Sequence, residues 1–190
     1  MSAVVSRPFV EQHALNRQVW ERLVNDPTLA EVIEKVETDR DGNLIMSPPP
    51  GMPHHLRQDH INQLLKRHLP EGGSLMEGSV STLEGVKVPD VVWYRQERAR
   101  AVEAGDPILP EFAPDLCVAV LSPSHSERDL RTKMKAYFAV GVREVWVCDH
   151  EGKMSFNGPQ GPLQRSGICP AFPDYVPATF CSNRSPAVVA

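Results

Sequence analysis

One aspartate lies inside an apolar stretch of the chain, where a charged side chain needs a physical reason to be. Asp90 belongs to the segment VKVPDVVWY, residues 86–94, whose alternating pattern predicts a β-strand. A carboxylate among valines loses its hydration, which costs free energy unless a cation, a metal or hydrogen bonds replace the water. Asp90 is therefore a candidate site residue. The alternative is a structural one, in which Asp90 caps a neighbouring amide at the end of a strand or is exposed at the edge of the sheet.

A lysine within an apolar helix face raises a similar question. The segment DLRTKMKAYFAVG, residues 129–141, places Met134, Tyr137 and Phe138 on one helical face, and Lys133 falls inside that face. Its ammonium group must either reach past its neighbours to water or meet a carboxylate or a phosphate. The sequence alone leaves both alternatives open.

An acid on a strand, a second strand nearby and a lysine on the following helix form the layout of a divalent-metal phosphodiesterase site. Carboxylate oxygens hold Mg²⁺. The metal polarises the scissile phosphate and lowers the pKa of an attacking water, while the lysine stabilises the developing charge. In this chain the second strand, LCVAVL at 116–121, follows Asp115 and carries Ala119 rather than an acid at its centre.

The elements that must position these residues predict an α/β (α+β) fold with a mixed sheet. The strand at 116–121, a helix from about Ser126 to Val140 and a strand at 144–148 fit a right-handed parallel crossover, with Gly141 ending the helix. The remaining pattern predicts a helical extension at 9–35, a hairpin at 37–46 turning at Asp41-Gly42, a helix at 55–69, strand pattern through 74–94, a loop at 95–111, an antiparallel strand from Met154 and a proline-rich tail from Pro170. We expect a single domain over residues 1–190, with its core at about 30–180.

Composition excludes several classes of protein. The formal net charge of −4 argues against a surface that is basic throughout, although a local basic cleft remains compatible with it. None of the four cysteines has zinc-ribbon or CxxC spacing, and the seven histidines contain no HExxH motif. The adjacent His54 and His55 could cap a helix or line a cleft. Without an apolar block that predicts a signal peptide or a membrane span, we expect a cytoplasmic protein with no membrane partner.

Four segments taken in order carry a resemblance to a known family. They are DGNLIMSPPPG, VKVPDVVWY, PDLCVAVLSPSHSERDLRTKMKAYFAVGVREVWVCD and, more loosely, AFPDYVPATF. Together they resemble the Uma-two family of restriction endonucleases, within the PD-(D/E)xK nuclease superfamily, over roughly residues 30–180. The resemblance implies a restriction-endonuclease-like core, a mixed central sheet flanked by helices, that cleaves DNA with Mg²⁺ or Mn²⁺.

The resemblance also implies roles for particular residues. Asp90 corresponds to the aspartate of the PD motif and Lys133 to a catalytic lysine displaced onto a helix. The acid contributed near the first hairpin corresponds to Glu37, with Glu34 as the less favoured candidate. The expected metal ligands are therefore Asp90 and Glu37, and the expected catalytic residues are Asp90 and Lys133.

The chain departs from the family pattern at Ala119, where relatives carry a metal-binding acid in EVLSPS. Asp115 lies four residues earlier on the same strand, about 13 Å away, which is too far to share that metal. Two functions follow: a Mg²⁺-dependent DNA endonuclease with a depleted site, or an inactive pseudo-nuclease that binds DNA or protein. A homodimer is expected by analogy with restriction enzymes of this fold. The basic residues Arg128, Arg131, Lys135 and Arg143 could face phosphates or form an ordinary solvated surface.

Overall fold

The computed structural model describes residues 7–27, 35–105, 108–122 and 126–180. Its helices are α1 (Phe9–Val24), α2 (Met52–His68), α3 (Gln96–Ala104) and α4 (Glu127–Ala139). Its strands are β1 (Val36–Thr38), β2 (Leu44–Met46), β3 (Gly73–Met76), β4 (Val80–Thr82), β5 (Gly85–Lys87), β6 (Val91–Tyr94), β7 (Leu116–Val120), β8 (Glu144–Cys148), β9 (Met154–Gly158) and β10 (Gly161–Leu163). Within these residues, no helix has both the length and the apolar character that crossing a bilayer requires.

The central sheet has six strands in the order β10-β9-β8-β7-β6-β3. Strands β7 and β8 are parallel and joined through α4, whereas every other neighbouring pair is antiparallel. The predicted crossover and mixed sheet are therefore confirmed. The Ser126 side chain caps α4 by accepting from the Asp129 amide at 3.4 Å, and Gly141 follows the helix in the left-handed region at φ +93°.

Two small hairpins lie beside the main sheet. The first joins β1 to β2, and Gly42 provides its turn with φ +86°, as the Asp-Gly pair predicts. The second joins β4 to β5. Gly85 begins β5 with φ +94°, and its backbone lies so close to β1 that a Cβ would stand 2.4 Å from the Thr38 carbonyl oxygen. The second hairpin therefore fixes the position of β1.

Each face of the sheet packs against different helices. On one face, Ile61 and Leu65 of α2 join Trp146 and Val118 in a buried cluster. On the other face, Tyr137 of α4 packs with Cys117, Val145 and Val92. Because side chains alternate along a strand, Ala119 projects toward the same face as Cys117, which is the face that α4 covers.

The structure corrects some of the predicted element boundaries. The predicted loop at 95–111 contains α3, whose sequence QERARAVEA is rich in helix formers but buries only Ala99, so it gives little periodic signal. Helix α2 begins at Met52 rather than at 55, because Pro53 is well tolerated in a first turn. The continuous strand pattern of 74–94 is divided into β3, the β4–β5 hairpin and β6, and β10 was not predicted.

Three earlier expectations fall partly or wholly outside the described residues. The predicted helix at 9–35 is shorter in the structure, because α1 ends at Val24 and Asn25 follows as its C-cap. Residues 28–34, which include Glu34, are not described. The apolar strand patterns around Cys117 and Cys148 predict buried thiols, and both residues are buried and free, as is Cys169. Cys181 lies outside the described part. The segment at 170–180 contains no strand, although Tyr175 forms a single bridge with Lys153.

Candidate active site

Asp90 stands where β6 leaves the central sheet and holds β7 by both its main chain and its side chain. Its backbone amide donates to the Val118 carbonyl at 3.0 Å, and its Oδ2 accepts the Val120 amide at 2.6 Å. The last regular pair between β6 and β7 is Val91 with Val118. Beyond it, the Val120 amide points toward β6, where a backbone carbonyl would normally accept it. The Asp90 carboxylate accepts this amide instead. Ala119 lies between the two residues of β7 that bind Asp90.

The other oxygen of Asp90 faces two cationic or polar side chains. Oδ1 accepts from Lys35 Nζ at 2.6 Å and lies 3.3 Å from His54 Nε2. Burial alone raises the pKa of Asp90, but the His54 hydrogen bond and the Lys35 charge more than offset that effect. The net result lowers the pKa of Asp90 from 3.8 to about 2, so its carboxylate is ionised at neutral pH although the side chain is only 8% exposed.

Helix α2 supports this arrangement through its first two turns. His54 is in the first turn, and Gln58 one turn later donates from Nε2 to the Asp90 carbonyl at 2.8 Å. The same carbonyl accepts the Glu77 amide at 3.0 Å. The backbone and the side chain of Asp90 are therefore both fixed by partners from α2, β7 and the segment after β3.

Glu37 and Lys133 form a second ion pair, which contacts the segment leading into Asp90. Glu37 of β1 is 2% exposed, and its Oε1 accepts from Lys133 Nζ at 2.8 Å and from the Val88 amide at 3.0 Å. Val88 lies two residues before Asp90, so Glu37 binds the segment that leads into the first carboxylate. Lys133, on the apolar face of α4, therefore pairs with the Glu37 carboxylate, although 29% of the lysine side chain remains exposed.

Two further buried residues complete the surroundings. Lys87 Nζ donates to the Thr38 carbonyl at 2.7 Å, and burial, partly offset by the Glu37 charge, lowers the pKa of Lys87. Tyr137 lies one turn after Lys133. Burial, reinforced by the negative charges of Glu37 and Asp90, raises the pKa of Tyr137 far above the usual range. Both carboxylates thus act on the same buried hydroxyl group.

We call this group the two-carboxylate cluster; it consists of Lys35, Glu37, His54, Lys87, Asp90 and Lys133. It combines two carboxylates with three ammonium groups, which is an excess of one positive charge before His54 is counted. Such a surplus favours an anion, and a phosphodiester is one anion it could accept. The sequence singled out Asp90, Glu37 and Lys133, and the structure places Glu37 with Lys133 and Asp90 with Lys35 and His54.

Sequence reasoning missed Lys35, Lys87 and Tyr137 as members or neighbours of this cluster. A signal existed for Lys87, because it alternates with valines in an apolar strand pattern in the same way as Asp90. Tyr137 was recognised only as part of the apolar face of α4. No pattern distinguishes Lys35, whose contact with Asp90 spans 55 positions of the chain.

Asp115 has a structural role at the other end of β7. It is fully buried, accepts the Arg95 amide at 3.0 Å and lies 3.4 Å from the Arg98 guanidinium group. Its own carbonyl accepts the amides of Arg143 and Glu144, which start β8. Asp115 therefore anchors α3 and β8 to β7. This agrees with the expectation that Asp115 lies too far from Ala119 to belong to the site.

The residues of the cluster do not form a ready site for a divalent ion. Across the described ranges, no three His, Cys, Asp or Glu side chains are grouped so that they could hold a metal. Each of the two carboxylates is bound to a lysine ammonium group, and Ala119 offers a methyl group between the β7 contacts of Asp90. The oxygen ligands are of the type that Mg²⁺ prefers, but they are already occupied by cations of the chain itself.

The basic residues on and after α4 remain at the surface. Arg128, Lys135 and Arg143 are exposed, and Arg131 pairs with Glu127 at 2.8 Å on the same exposed helix face. Such an i,i+4 pair contributes little to stability. This arrangement is that of an ordinary solvated surface, and Lys133 is the basic residue of α4 that turns inward.

A mixed sheet with a parallel crossover, and a buried aspartate held against the crossover strand, define a restriction-endonuclease-like α/β protein. The family model described as "putative restriction endonuclease" matches residues 20–166. The chain belongs to this family, the Uma-two family. No curated protein matches the chain.

A solved structure supports the same fold. The crystal structure of a "putative nuclease belonging to DUF820" from Anabaena variabilis superposes on this chain with a TM-score of 0.63. The two sequences are 17% identical, and the match covers 78% of this chain and 92% of the other. At this level of identity the likeness concerns the fold, and the roles of individual residues must be argued from the site itself.

Proposed function

We propose that this protein is a DNA endonuclease of the restriction-endonuclease-like type, which hydrolyses phosphodiester bonds at the two-carboxylate cluster. The observation that carries the proposal is the meeting of Glu37 and Lys133 beside Asp90, three residues that are far apart in the sequence. Membership of the Uma-two family supports the same activity. The proposal takes the chain as one cytoplasmic domain, and a symmetric homodimer would present two such sites to the two DNA strands.

Each residue of the cluster has a proposed role that follows from its position. Lys133 is partly exposed and carries the positive charge that would contact a phosphate, while Glu37 holds that ammonium group in place. Asp90 is the fixed anionic group at the end of the β6–β7 pair. The family resemblance implies Mg²⁺ or Mn²⁺, and Asp90 and Glu37 are the carboxylates that would hold such an ion once their ammonium partners move.

A specific observation also favours a second candidate function. Ala119 removes an expected acid, and both remaining carboxylates are neutralised within the chain. A protein of this fold with such a site could bind DNA through its surplus positive charge without cleaving it. This is the pseudo-nuclease alternative, and it differs from the first in predicting DNA binding with no turnover.

Plasmid cleavage separates the two functions. Purified protein is incubated with supercoiled plasmid in Mg²⁺, in Mn²⁺ and in EDTA, alongside Asp90→Asn, Lys133→Gln and Ala119→Glu variants. Lys135→Gln is the matched control, because it removes an exposed lysine from the same helix. We expect metal-dependent nicking by the parent that falls at least about 100-fold in the Asp90 and Lys133 variants and is unchanged in the control.

Three other outcomes would change the conclusion. No cleavage by the parent, with cleavage gained in Ala119→Glu, would establish a nuclease fold that lost its activity through one substitution. Cleavage by Asp90→Asn equal to that of the parent would show that the cluster is not the catalytic site. Binding of a fluorescent DNA duplex by a parent that never cleaves would support the pseudo-nuclease.

A further inference from the structure

We propose that Lys35 is a tethered cation that occupies the place of a divalent ion at Asp90, so that a metal ion binds there only by displacing the Lys35 ammonium group. The inference matters for activity only if the proposed function is correct. It concerns metal affinity, however, and can be tested without measuring cleavage. It assigns a role to a residue that neither the sequence pattern nor the family resemblance singles out.

The contact geometry is the first support. Lys35 Nζ lies 2.6 Å from Asp90 Oδ1, so the two groups form a short, charge-assisted hydrogen bond. The other oxygen, Oδ2, is held by the Val120 amide at 2.6 Å, and His54 Nε2 also approaches Oδ1. Both oxygens of the Asp90 carboxylate therefore already have partners, and the Lys35 ammonium group already neutralises its charge.

Charge balance is the second support. A buried carboxylate is stable only when a positive charge or several hydrogen bonds compensate for its lost hydration. A divalent ion placed beside Asp90 while Lys35 stays would meet a positive charge at ion-pair distance, and their repulsion in a partly buried site is strong. The Glu37 carboxylate is similarly engaged by Lys133. Binding of a metal must therefore be an exchange of cations rather than an addition.

The freedom of the Lys35 side chain makes such an exchange feasible. Its side chain is 18% exposed, compared with 8% for Asp90, and lysine has a flexible four-carbon stem. It precedes β1 rather than lying inside a strand or a helix. The ammonium group can consequently withdraw toward solvent while the backbone of β1, and Glu37 with it, stays in place.

The test measures binding of Mn²⁺ by electron paramagnetic resonance of the free ion, with no DNA present. Lys35→Met removes the charge and keeps the length, Lys35→Arg keeps the charge, and Lys66→Met removes an exposed lysine elsewhere on α2. We expect Lys35→Met to bind Mn²⁺ at least about tenfold more tightly than the parent, by analogy with the effect of residues that hold metal ligands. Lys35→Arg and Lys66→Met should match the parent.

A second substitution, at Asp90, tests whether the Mn²⁺ ion gained by Lys35→Met binds at that carboxylate. The double variant Lys35→Met/Asp90→Asn should lose the gain in affinity. If Lys35→Met binds Mn²⁺ within twofold of the parent, or if its gain persists without Asp90, the inference is wrong. Should Lys35→Met unfold without metal, its thermal midpoint in rising Mn²⁺ gives the same answer, because a ligand of the folded state stabilises it. No rise in that midpoint beyond that of the parent would equally overturn the inference.

Failure of this inference is distinguishable from failure of the proposed function. If Lys35→Met gains Mn²⁺ affinity and yet neither it nor the parent cleaves plasmid, the tethered cation is supported and the nuclease proposal fails. If the parent cleaves plasmid with Mg²⁺ while Lys35→Met shows no change in Mn²⁺ binding, the nuclease proposal stands and the tethered cation is rejected.

Discussion

Asp90 keeps its charge inside the protein because its partners come from several elements at once. Lys35 and His54 approach one carboxylate oxygen, and the Val120 amide donates to the other. These contacts exist only in the folded chain, so they lower the pKa of the folded state and leave that of the unfolded state near the ordinary value of 3.8. The residue is therefore a source of stability that depends on pH.

We predict that Asp90→Asn reduces the acid sensitivity of folding. The folded-state pKa of about 2 lies below the unfolded value of 3.8, so the stabilisation is complete above about pH 4 and is lost as the pH falls toward 2. A shift of nearly two units corresponds to roughly 2 kcal/mol. Urea unfolding at several pH values should show the parent losing roughly that much more stability than Asp90→Asn over this window.

The control for this prediction is Asp41→Asn, which changes an exposed carboxylate in the turn of the β1–β2 hairpin. It should follow the pH dependence of the parent. Equal acid slopes for the parent and Asp90→Asn would mean that the Lys35 and His54 contacts do not hold the charge of Asp90 in solution.

At the scale of elements, the two hairpins position the half of the site that the main sheet does not supply. Glu37 belongs to β1, which is outside the six-stranded sheet, and the β4–β5 hairpin lies against it. The Val86 amide donates to Thr38 Oγ1 at 2.9 Å, and Lys87 binds the Thr38 carbonyl. The position of Glu37 relative to Lys133 thus depends on how closely Gly85 approaches β1.

We predict that Gly85→Ala destabilises the protein more than Gly141→Ala does. Both glycines have a positive φ, +94° and +93°, so both substitutions carry the same backbone strain of about 1 kcal/mol. A Cβ at Gly85 would also stand 2.3 Å from the Asp39 carbonyl oxygen, whereas a Cβ at Gly141 meets nothing within 4 Å. Urea unfolding should show an additional loss of more than about 1 kcal/mol for Gly85→Ala.

Equal losses for the two variants would contradict the close packing of the second hairpin on β1. Because the clash falls on Thr38 and Asp39, next to Glu37, we also expect Gly85→Ala to lower plasmid cleavage by any active parent. Gly141→Ala lies at the far end of α4 from Ser126 and should leave cleavage unchanged.

At the scale of the whole molecule, the segment after β10 closes one face of the core. Cys169, Phe172 and Val176 from this segment are buried against Trp146. Glu144 at the start of β8 ties the segment down, because its carboxylate accepts from Ser166 Oγ, the amides of Gly167 and Ile168, and Trp146 Nε1 at 2.7–3.0 Å. Because these four donors occupy both oxygens of its carboxylate, Glu144 has a structural role.

We predict that Glu144→Gln loosens the C-terminal segment. The amide has one acceptor oxygen in place of two, so at least one buried donor loses its partner, which costs roughly 2 kcal/mol. Urea unfolding should show this loss, and trypsin should cut faster after the exposed Arg165. Glu151→Gln, in an exposed turn, is the matched control. Unchanged stability and cleavage in Glu144→Gln would mean that Glu144 does not hold the segment.

The sequence by itself determined the parts of this protein that are encoded locally. Period-two and helical patterns predicted the β7–α4–β8 crossover, Ser126 and Gly141 marked the limits of α4, and Asp90 and Lys133 stood out as charges in apolar patterns. Helix α3 was missed because a short polar helix buries too little to leave a pattern. The identity of Ala119 as a missing acid came from the family resemblance.

Only the tertiary structure decided which charges meet. Lys133 reaches Glu37 across 96 positions of the chain, and Lys35 reaches Asp90 across 55. Periodicity reports which face of an element is buried, but it contains no information on which distant side chain lies opposite. Ion pairs of this kind are set by the packing of the hairpins and α2 around the sheet, and for that reason the cation held at Asp90 could be identified only from the folded chain.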